Sequence, residues 1–340
     1  MHLKKRLLKT LFFAAGLALG AGIFGVLIYR TGTHDVLVSL LAFGVVPLLG
    51  FIGISILNFG VYTFRWKLIL DPMLAPEKRI PYYKMFLNRM SGFAAGYLTP
   101  AAQVAGEPIR VAMLHGDGVP VKVATSSVVL DLAFEITAFV TYVAMGIGFA
   151  LVQGLGTGPG LYWSVLFISV LLVFMIGFFV ATITGNGFFH HMLRVSRLSR
   201  YKAIASFEHW LIETEILMSE FFVGRTVRIL VVIGLSLIMA TFKAVEAIFI
   251  AHFFGVNIKI TDALLMSTLP GVALLLPVPA GLGVYEGSNT ALFDLLHLPI
   301  NPVAYTIVIR LRDFLFIGIG VCYAVIRGEA LFFKKYDGKS

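Results

Sequence analysis

Carboxylates and arginines stand inside otherwise apolar stretches of this sequence, where each charge needs a partner. Asp131 and Glu135 lie four residues apart in VVLDLAFEITAF, so they share one face of a helix. Arg310, Arg312 and Asp313 cluster in IVIRLRDFLFIG. Because a charge at the centre of a bilayer costs roughly 2.5–3.5 kcal/mol, we expect these acids and arginines to pair in a shared interior. Such a cluster serves either as a salt-bridge network that locks helices, or as a polar cavity for a charged headgroup or a proton relay.

Two segments that contain proline and glycine each carry a glutamate and resemble one another. TPAAQVAGEP begins at residue 99 and VPAGLGVYEG at residue 278, and in both a proline precedes the glutamate by seven residues. In both, another ionisable residue follows the glutamate by 24 residues, in the next apolar run. The matched positions are Pro100, Glu107 and Asp131 in one half, and Pro279, Glu286 and Arg310 in the other.

This similarity predicts two broken helices of opposite orientation, which is the pattern of inverted-repeat transporters. Irregular backbone at membrane depth is tolerated only where protein or a wet cavity surrounds it, and the ends of half-helices present their dipoles to a polar ligand. Chance similarity over so few residues is the alternative. Arg110 would act as a phosphate clamp at the cytoplasmic mouth, or as a positive anchor paired with Glu107.

The composition indicates an all-α polytopic membrane protein. Of the 340 residues, 59% are hydrophobic and 13% are charged, and the mean hydropathy is +0.92. Soluble domains carry about 25% charged residues. We attribute the net charge of +9 to basic loops that contact anionic lipid headgroups, and expect no nucleic-acid partner. The single cysteine, Cys322, excludes an intramolecular disulfide.

Six long apolar segments are interpreted as full transmembrane helices, because each reaches the ~20 residues that cross ~30 Å of hydrocarbon. The first has a basic start like that of a signal peptide, but its apolar run is too long for one, so we interpret it as a retained span. Two further segments are apolar but broken by Pro, Gly and acidic residues. The full spans are approximately 10–29, 37–63, 123–151, 161–184, 228–252 and 303–326, and the broken segments are 85–114 and 262–297.

Basic residues orient these spans. If the six segments cross and the N-terminus is cytoplasmic, most of the 27 Lys and Arg residues fall on the inner side, and only Arg30 and Lys259 fall outside. This positive-inside bias predicts cytoplasmic N- and C-termini in the cytoplasmic membrane. Each broken segment must then return to the side from which it entered. Parity permits a re-entrant hairpin or a two-span hairpin, and we favour re-entrant hairpins because roughly thirty residues make two half-depth helices more easily than two full spans.

The predicted spans and their orientation also give the domain organisation. We expect one integral membrane domain over residues 1–340, with a cytoplasmic loop at 185–227 that contains an amphipathic surface helix. No cofactor and no metal are expected, because the sequence has neither a Walker motif nor HExxH, and its histidines lack metal-ligand spacing. ATP-driven pumping by this chain alone is therefore not expected.

Four stretches together resemble the flippase-like integral membrane domain of lysylphosphatidylglycerol synthases and their stand-alone relatives: GYLTPAAQVAGEPIRVAML, SSVVLDLAFEI, LPVPAGLGVYEGSNTALF and IRLRDFLFIGIG. The resemblance covers nearly the whole chain, and it implies a helical bundle with re-entrant elements that moves or handles lipids. Relatives with two functions carry a large soluble aminoacyl-transferase domain after the membrane part. Here only RGEALFFKKYDGKS follows the last span, so lysyl transfer is not implied. The positions that match the family motifs are Pro100, Gly106, Glu107, Arg110, Gly281, Gly283, Glu286 and Arg310.

We therefore expect a lipid transporter or flippase-like protein that moves an amphipathic, phosphate-bearing lipid through a polar intramembrane cavity. Two alternatives stay open: an intramembrane headgroup transferase or hydrolase with Glu107 or Glu286 as base, and a non-catalytic partner of a separately encoded lipid-modifying enzyme. The expected partners are membrane lipids. The residues expected to line the cavity are Pro100, Gln103, Gly106, Glu107, Arg110, Asp131, Glu135, Pro279, Gly281, Gly283, Glu286, Arg310, Arg312 and Asp313.

Overall fold

The computed structural model is all-helical over the residues that it describes, which are 33–99, 106–152, 159–196, 202–271 and 281–337, with Tyr29, Gly154 and Val278 as isolated positions. These residues form twelve α-helices and contain no strand. The helices are α1 Thr33–Phe43, α2 Val45–Leu70, α3 Tyr82–Leu98, α4 Gly106–Gly116, α5 Val121–Val152, α6 Pro159–Ile183, α7 Phe188–Val195, α8 Lys202–Glu220, α9 Thr226–Phe253, α10 Ile260–Thr268, α11 Val284–Leu295 and α12 Pro302–Asp337. Two short 3-10 turns, Asp71–Met73 and Pro76–Lys78, connect α2 to α3.

Four helical stretches within the described residues are long and apolar enough to cross a membrane, which confirms a multi-pass membrane protein. They are Val45–Met73, Val121–Phe149, Val165–Ile183 and Thr226–Phe253. The predicted span 10–29 lies outside the described residues. The predicted span 303–326 lies within α12, whose apolar run is interrupted by Arg310, Arg312 and Asp313.

The predicted span 37–63 differs from the observed helices. The chain forms α1 and α2 on either side of Gly44, whose φ of +78° lies in the left-handed region that favours glycine. Pro47 follows in the first turn of α2, where its missing N–H costs no helical hydrogen bond. The long apolar helix therefore starts at Val45 and continues seven residues past the predicted end, to Leu70.

Each of the two broken segments contains two short helices. The 85–114 segment holds most of α3 and α4, with 17 and 11 residues, and the 262–297 segment holds most of α10 and α11, with 9 and 12 residues. At 1.5 Å per residue the longest of the four is about 26 Å long, and the others are about 14–18 Å long. Each is shorter than the ~30 Å hydrocarbon core.

The chain forms two compact units. Among the described residues, unit 1 consists of the chain up to Phe59, Leu87–Ile109 and the chain from Thr241, and unit 2 consists of Gly60–Phe86 and Arg110–Ala240. The unit boundaries fall inside α2 and α9, so both of these long helices contribute residues to both units.

In unit 2, α5 packs against α6 and α8. The helix α8 lies within the 185–227 loop, where its amphipathic character stays a prediction; its buried positions include Leu211 and Met218, while Ile216 is exposed. The short helix α7 is joined to α8 by Glu215, whose carboxylate accepts hydrogen bonds from the backbone N–H of Phe189 at 2.5 Å and of His190 at 3.3 Å. Burial raises the pKa of the Glu215 carboxyl, although these two N–H groups favour its ionised form.

In unit 1, α12 makes close contact with α3 through Gly320. A Cβ atom on Gly320 would lie 2.7 Å from the carbonyl carbon of Met90 and 2.9 Å from Cβ of Ala94. The hydroxyl of Ser91 donates a hydrogen bond to the Gly320 carbonyl at 3.0 Å. Gly106 makes a second close contact, since its Cβ would lie 3.1 Å from the carbonyl carbon of Gly92. Small residues allow membrane helices to approach at this distance.

The close approach at Gly320 gives a first prediction. Gly320→Ala forces backbone atoms apart and destabilises the protein by about 1–3 kcal/mol, because overpacking shifts the neighbouring helix. Gly318→Ala, two residues away on the same helix, has no atom within 4 Å of the new methyl group. Its expected effect is neutral, or stabilising by up to ~1 kcal/mol. Apparent melting temperatures of the two purified variants in detergent measure the difference, and equal melting temperatures would contradict the assigned contact.

Candidate functional site: two buried arginine–carboxylate networks

Unit 2 contains a buried carboxylate held by two arginines. Asp131 of α5 is 0% exposed, and its Oδ1 accepts hydrogen bonds from Arg65 Nε at 3.0 Å and Nη2 at 2.8 Å. The second oxygen, Oδ2, accepts a hydrogen bond from Arg110 Nη2 at 2.5 Å. Both guanidinium groups are buried as well, at 0% and 3% exposure. Asp131 therefore bridges two cations that come from α2 and α4.

The two arginines are held in place by aromatic rings and polar groups. The Arg110 guanidinium lies 4.1 Å from the centroid of the Trp66 ring, and the Arg65 guanidinium lies 5.5 Å from that of Tyr62. Arg65 also donates hydrogen bonds to Ser236 Oγ at 3.2 Å and to the Asp131 carbonyl at 3.0 Å. A stacked planar guanidinium has little freedom left, so these contacts preorganise both groups.

Glu135 is the partly exposed member of the same network. Its Oε2 lies 3.3 Å from Arg65 Nη2, and its side chain is 36% exposed while that of Asp131 is 0% exposed. The two acids predicted to share a helix face do so. The four-residue spacing places one acid inside the network and the other at its edge.

Unit 1 contains a buried network around Arg310 of α12. Its Nε donates a hydrogen bond to Glu286 Oε1 at 2.8 Å, its Nη2 lies 2.7 Å from the same oxygen as an ion-pair contact, and its Nη1 donates to the hydroxyl of Tyr97. The Tyr97 hydroxyl in turn donates to Asp313 Oδ2 at 2.5 Å. The other oxygen of Glu286 accepts the backbone N–H of Gly283 at 2.6 Å, as in the acidic half of a capping box.

Arg312 extends the unit 1 network to α9 and α2. Its guanidinium binds Asp313 Oδ1 through Nε at 2.9 Å and Nη2 at 2.8 Å, and Glu246 Oε2 through Nη1 at 3.1 Å. Ser55 donates to the other Glu246 oxygen at 2.8 Å and accepts from Arg312 Nη1 at 3.2 Å. Lys243, three residues earlier on the same helix, lies 3.8 Å from Glu246 Oε2.

The two networks follow one plan with opposite charge signs. In unit 2 an acid on α5 is held by arginines from α2 and α4, and in unit 1 arginines on α12 are held by acids from α9 and α11. The separation along the chain is 66 residues for both Arg65–Asp131 and Glu246–Arg312. Ser55, ten residues before Arg65, belongs to the unit 1 network. Ser236, ten residues before Glu246, belongs to the unit 2 network.

Four of the remaining predicted site residues lie at the starts of helices. Gly106 and Glu107 form the first turn of α4, where a carboxylate interacts favourably with the helix dipole. Gly281 and Gly283 precede α11 and have φ values of +58° and +78°, which require glycine. The predicted residues Pro100, Gln103 and Pro279 lie outside the described residues.

The structure assigns charge partners that differ from the sequence-based expectation. We expected Asp131 and Glu135 to pair with Arg310 and Arg312, and the described partners of Asp131 are Arg65 and Arg110. Arg65 lies beyond the predicted span 37–63, but it is fully buried because α2 continues to Leu70. Spacing contains the signal that was missed: Ser55, Tyr62 and Arg65 recur on one face of α2 at intervals of seven and three residues.

The arrangement presents arginine donors to carboxylate acceptors. The described residues contain no group of three His, Cys, Asp or Glu side chains that would hold a metal ion. Arginine presents a planar fork of donors that fits a carboxylate or a phosphate equally well. A site in which two arginines share one carboxylate is therefore suited to exchange that carboxylate for a phosphate group.

The unequal burial of the two acids gives a second prediction. Asp131→Asn leaves two buried guanidinium groups without their shared charge, and we expect a loss of about 3–5 kcal/mol in stability. Glu135→Gln removes a half-exposed contact and costs about 0–1 kcal/mol. Thermal unfolding of both variants in detergent provides the measurement. A melting temperature for Asp131→Asn as high as that for Glu135→Gln would rule out Asp131 as the central partner.

Comparison with known proteins extends these observations. A family model described as the lysylphosphatidylglycerol synthase TM region matches residues 13–320. Searches of curated proteins and of solved structures gave no significant match. The matched range includes every residue of both networks. The chain is thus a member of the lysylphosphatidylglycerol synthase TM-region family.

Proposed function

We propose that this protein moves an amphipathic, phosphate-bearing lipid across the cytoplasmic membrane, in the manner of a flippase. Family membership links the chain to membrane lipids, and its long apolar helices make it a multi-pass membrane protein. The observation that carries the proposal is the bridging of one buried carboxylate by Arg65 and Arg110. These two arginines would bind the phosphate of the headgroup.

The phosphate site is proposed from an exchange of anions. Asp131 presents one oxygen to each arginine, at 2.8 and 2.5 Å, and a phosphate presents oxygens with similar spacing. An arriving phosphate would displace the carboxylate from one guanidinium, and Asp131 would keep the other arginine paired. Each arginine would thus have an anionic partner before, during and after binding. This matters because an unpaired charge is costly in a low-dielectric interior.

The broken segments and the opposite charge signs support an inverted repeat. The residue separation of 66 in both networks agrees with two copies of one helical plan, and the second contact of each network spans 21 residues for Arg110–Asp131 and 24 for Glu286–Arg310. We propose that the short pairs α3–α4 and α10–α11 are re-entrant hairpins, because each helix is shorter than the hydrocarbon core. Cytoplasmic termini remain part of the proposal on the ground of the basic loops.

An intramembrane transferase or hydrolase is the less favoured function. Its base would be Glu107 or Glu286, and both oxygens of Glu286 already accept hydrogen bonds from Arg310 and from the Gly283 N–H. A general base needs a free oxygen within hydrogen-bond reach of the substrate. The association with a separately encoded lipid-modifying enzyme stays a prediction.

Translocation of a fluorescent phospholipid in proteoliposomes tests the proposal. Arg110→Lys keeps the positive charge but loses the planar fork and the stacking on Trp66. We expect a rate reduced roughly ten- to hundredfold, since a charged hydrogen bond contributes about 1.5–3 kcal/mol. Arg310→Lys should slow translocation as well, if both networks contact the headgroup.

Arg79→Gln is the matched control, because Arg79 is an exposed arginine of unit 2 outside both networks. Its expected rate equals that of the wild type. Chromatography of the recovered lipid separates transport from chemistry, and a modified headgroup would support the transferase or hydrolase instead. A wild-type rate in a folded Arg110→Lys variant would disprove the phosphate assignment.

A further inference from the structure

A cleft outside both networks lies at the start of α9 in unit 2. Its volume is about 560 Å³, and its lining includes Leu68 of α2 together with Arg225, Val227, Arg228 and Val231. The lining therefore combines two cationic side chains with aliphatic ones. Neither arginine takes part in the networks around Asp131 and Arg310.

Two cationic residues, Arg225 and Arg228, line the cleft. Arg225 Nη1 donates a hydrogen bond to the carbonyl of Glu220 at 3.1 Å, and this is a neutral acceptor. Among the described residues, neither Arg225 nor Arg228 has a carboxylate within 4 Å, and the first turn of α9 contains no acidic residue. Both guanidinium groups line the cleft, and an anion bound there would compensate their charge.

The aliphatic part of the lining continues along α9, which is long and apolar enough to cross a membrane. Val227, Leu230 and Val231 are 76%, 62% and 43% exposed. They occupy the first two turns of α9, whose 28 residues extend for about 42 Å. A helix of that length exceeds the ~30 Å hydrocarbon core, so its ends reach the headgroup layers. A cleft at the end of such a helix would lie where a phosphate and the first carbons of an acyl chain are side by side.

We propose that this cleft binds one phospholipid with a net negative headgroup, independently of the proposed transport function. Arg225 and Arg228 hold the phosphate, and the acyl chain packs along Val227 and Val231. Basic pockets beside membrane helices recognise anionic headgroups in this way. The bound lipid neutralises the two arginines and links the ends of α2 and α9 that meet at the cleft.

Lipid retention by the full-length protein in a non-ionic detergent tests this proposal. The probes are phosphatidylglycerol, phosphatidylcholine and glycerol 3-phosphate, and the readouts are the number of bound lipids by native mass spectrometry and the shift in melting temperature. Wild-type protein should retain phosphatidylglycerol and be stabilised by it, with no comparable effect of the other two probes. Glycerol 3-phosphate carries the same phosphate without acyl chains, so an equal effect would identify a site for free phosphate and overturn the proposal.

The variant Arg225→Gln/Arg228→Gln should retain one phosphatidylglycerol fewer than the wild type. We expect its affinity at this site to be about thirtyfold weaker, from about fivefold for each arginine near a membrane surface. Arg79→Gln should behave as the wild type. If the double variant does not fold, Arg228→Gln alone gives the fivefold comparison. Equal retention by wild type and variant, or equal binding of phosphatidylcholine, would overturn the proposal.

Discussion

The ion pair between Arg65 and Asp131 joins two long apolar helices at a point where neither side chain is exposed. A single charge at that depth is costly, and either residue alone would oppose insertion of its helix. Together they satisfy one another, and the remaining lone pairs and protons are taken by Arg110 and Ser236. The contact thereby fixes which faces of α2 and α5 meet in unit 2, because each other pairing would leave a buried charge alone.

The need to pair buried charges also explains the network of unit 1, in which the signs of the charges are exchanged. Arginines on α12 replace the acid on α5, and acids on α9 and α11 replace the arginines on α2 and α4. Such an exchange keeps the pairing favourable, since the energy of an ion pair depends on the product of the two charges and not on which helix carries which sign. The two networks differ in what they can offer to a ligand. Unit 2 surrounds its central group with cations, and unit 1 surrounds its central groups with anions.

Much of this architecture was predictable from the sequence. A bilayer requires about 20 apolar residues for a crossing, so long apolar runs identify α5, α6 and α9 with little ambiguity. Charges inside apolar stretches of the sequence identified Asp131, Glu286 and Arg310 as buried groups. Their partners were not predictable in the same way. Arg65 stands near the end of an apolar run, where a loop anchor and a buried partner look alike, and its spacing from Ser55 and Tyr62 along one helix face was the indication that was missed. The break at Gly44 was missed because glycine is common inside membrane helices and its φ is set by the flanking packing.

The order of the network residues along the chain bears on how the protein enters the membrane. In unit 2 the arginines on α2 and α4 precede Asp131, and in unit 1 the acids on α9 and α11 precede the arginines on α12. Synthesis proceeds from the N-terminus, so each central charge emerges when its counter-charges have already been made. The helix that carries it can be released into lipid as a neutral assembly, and no stage of biogenesis after that point has to hold an unpaired central charge in hydrocarbon.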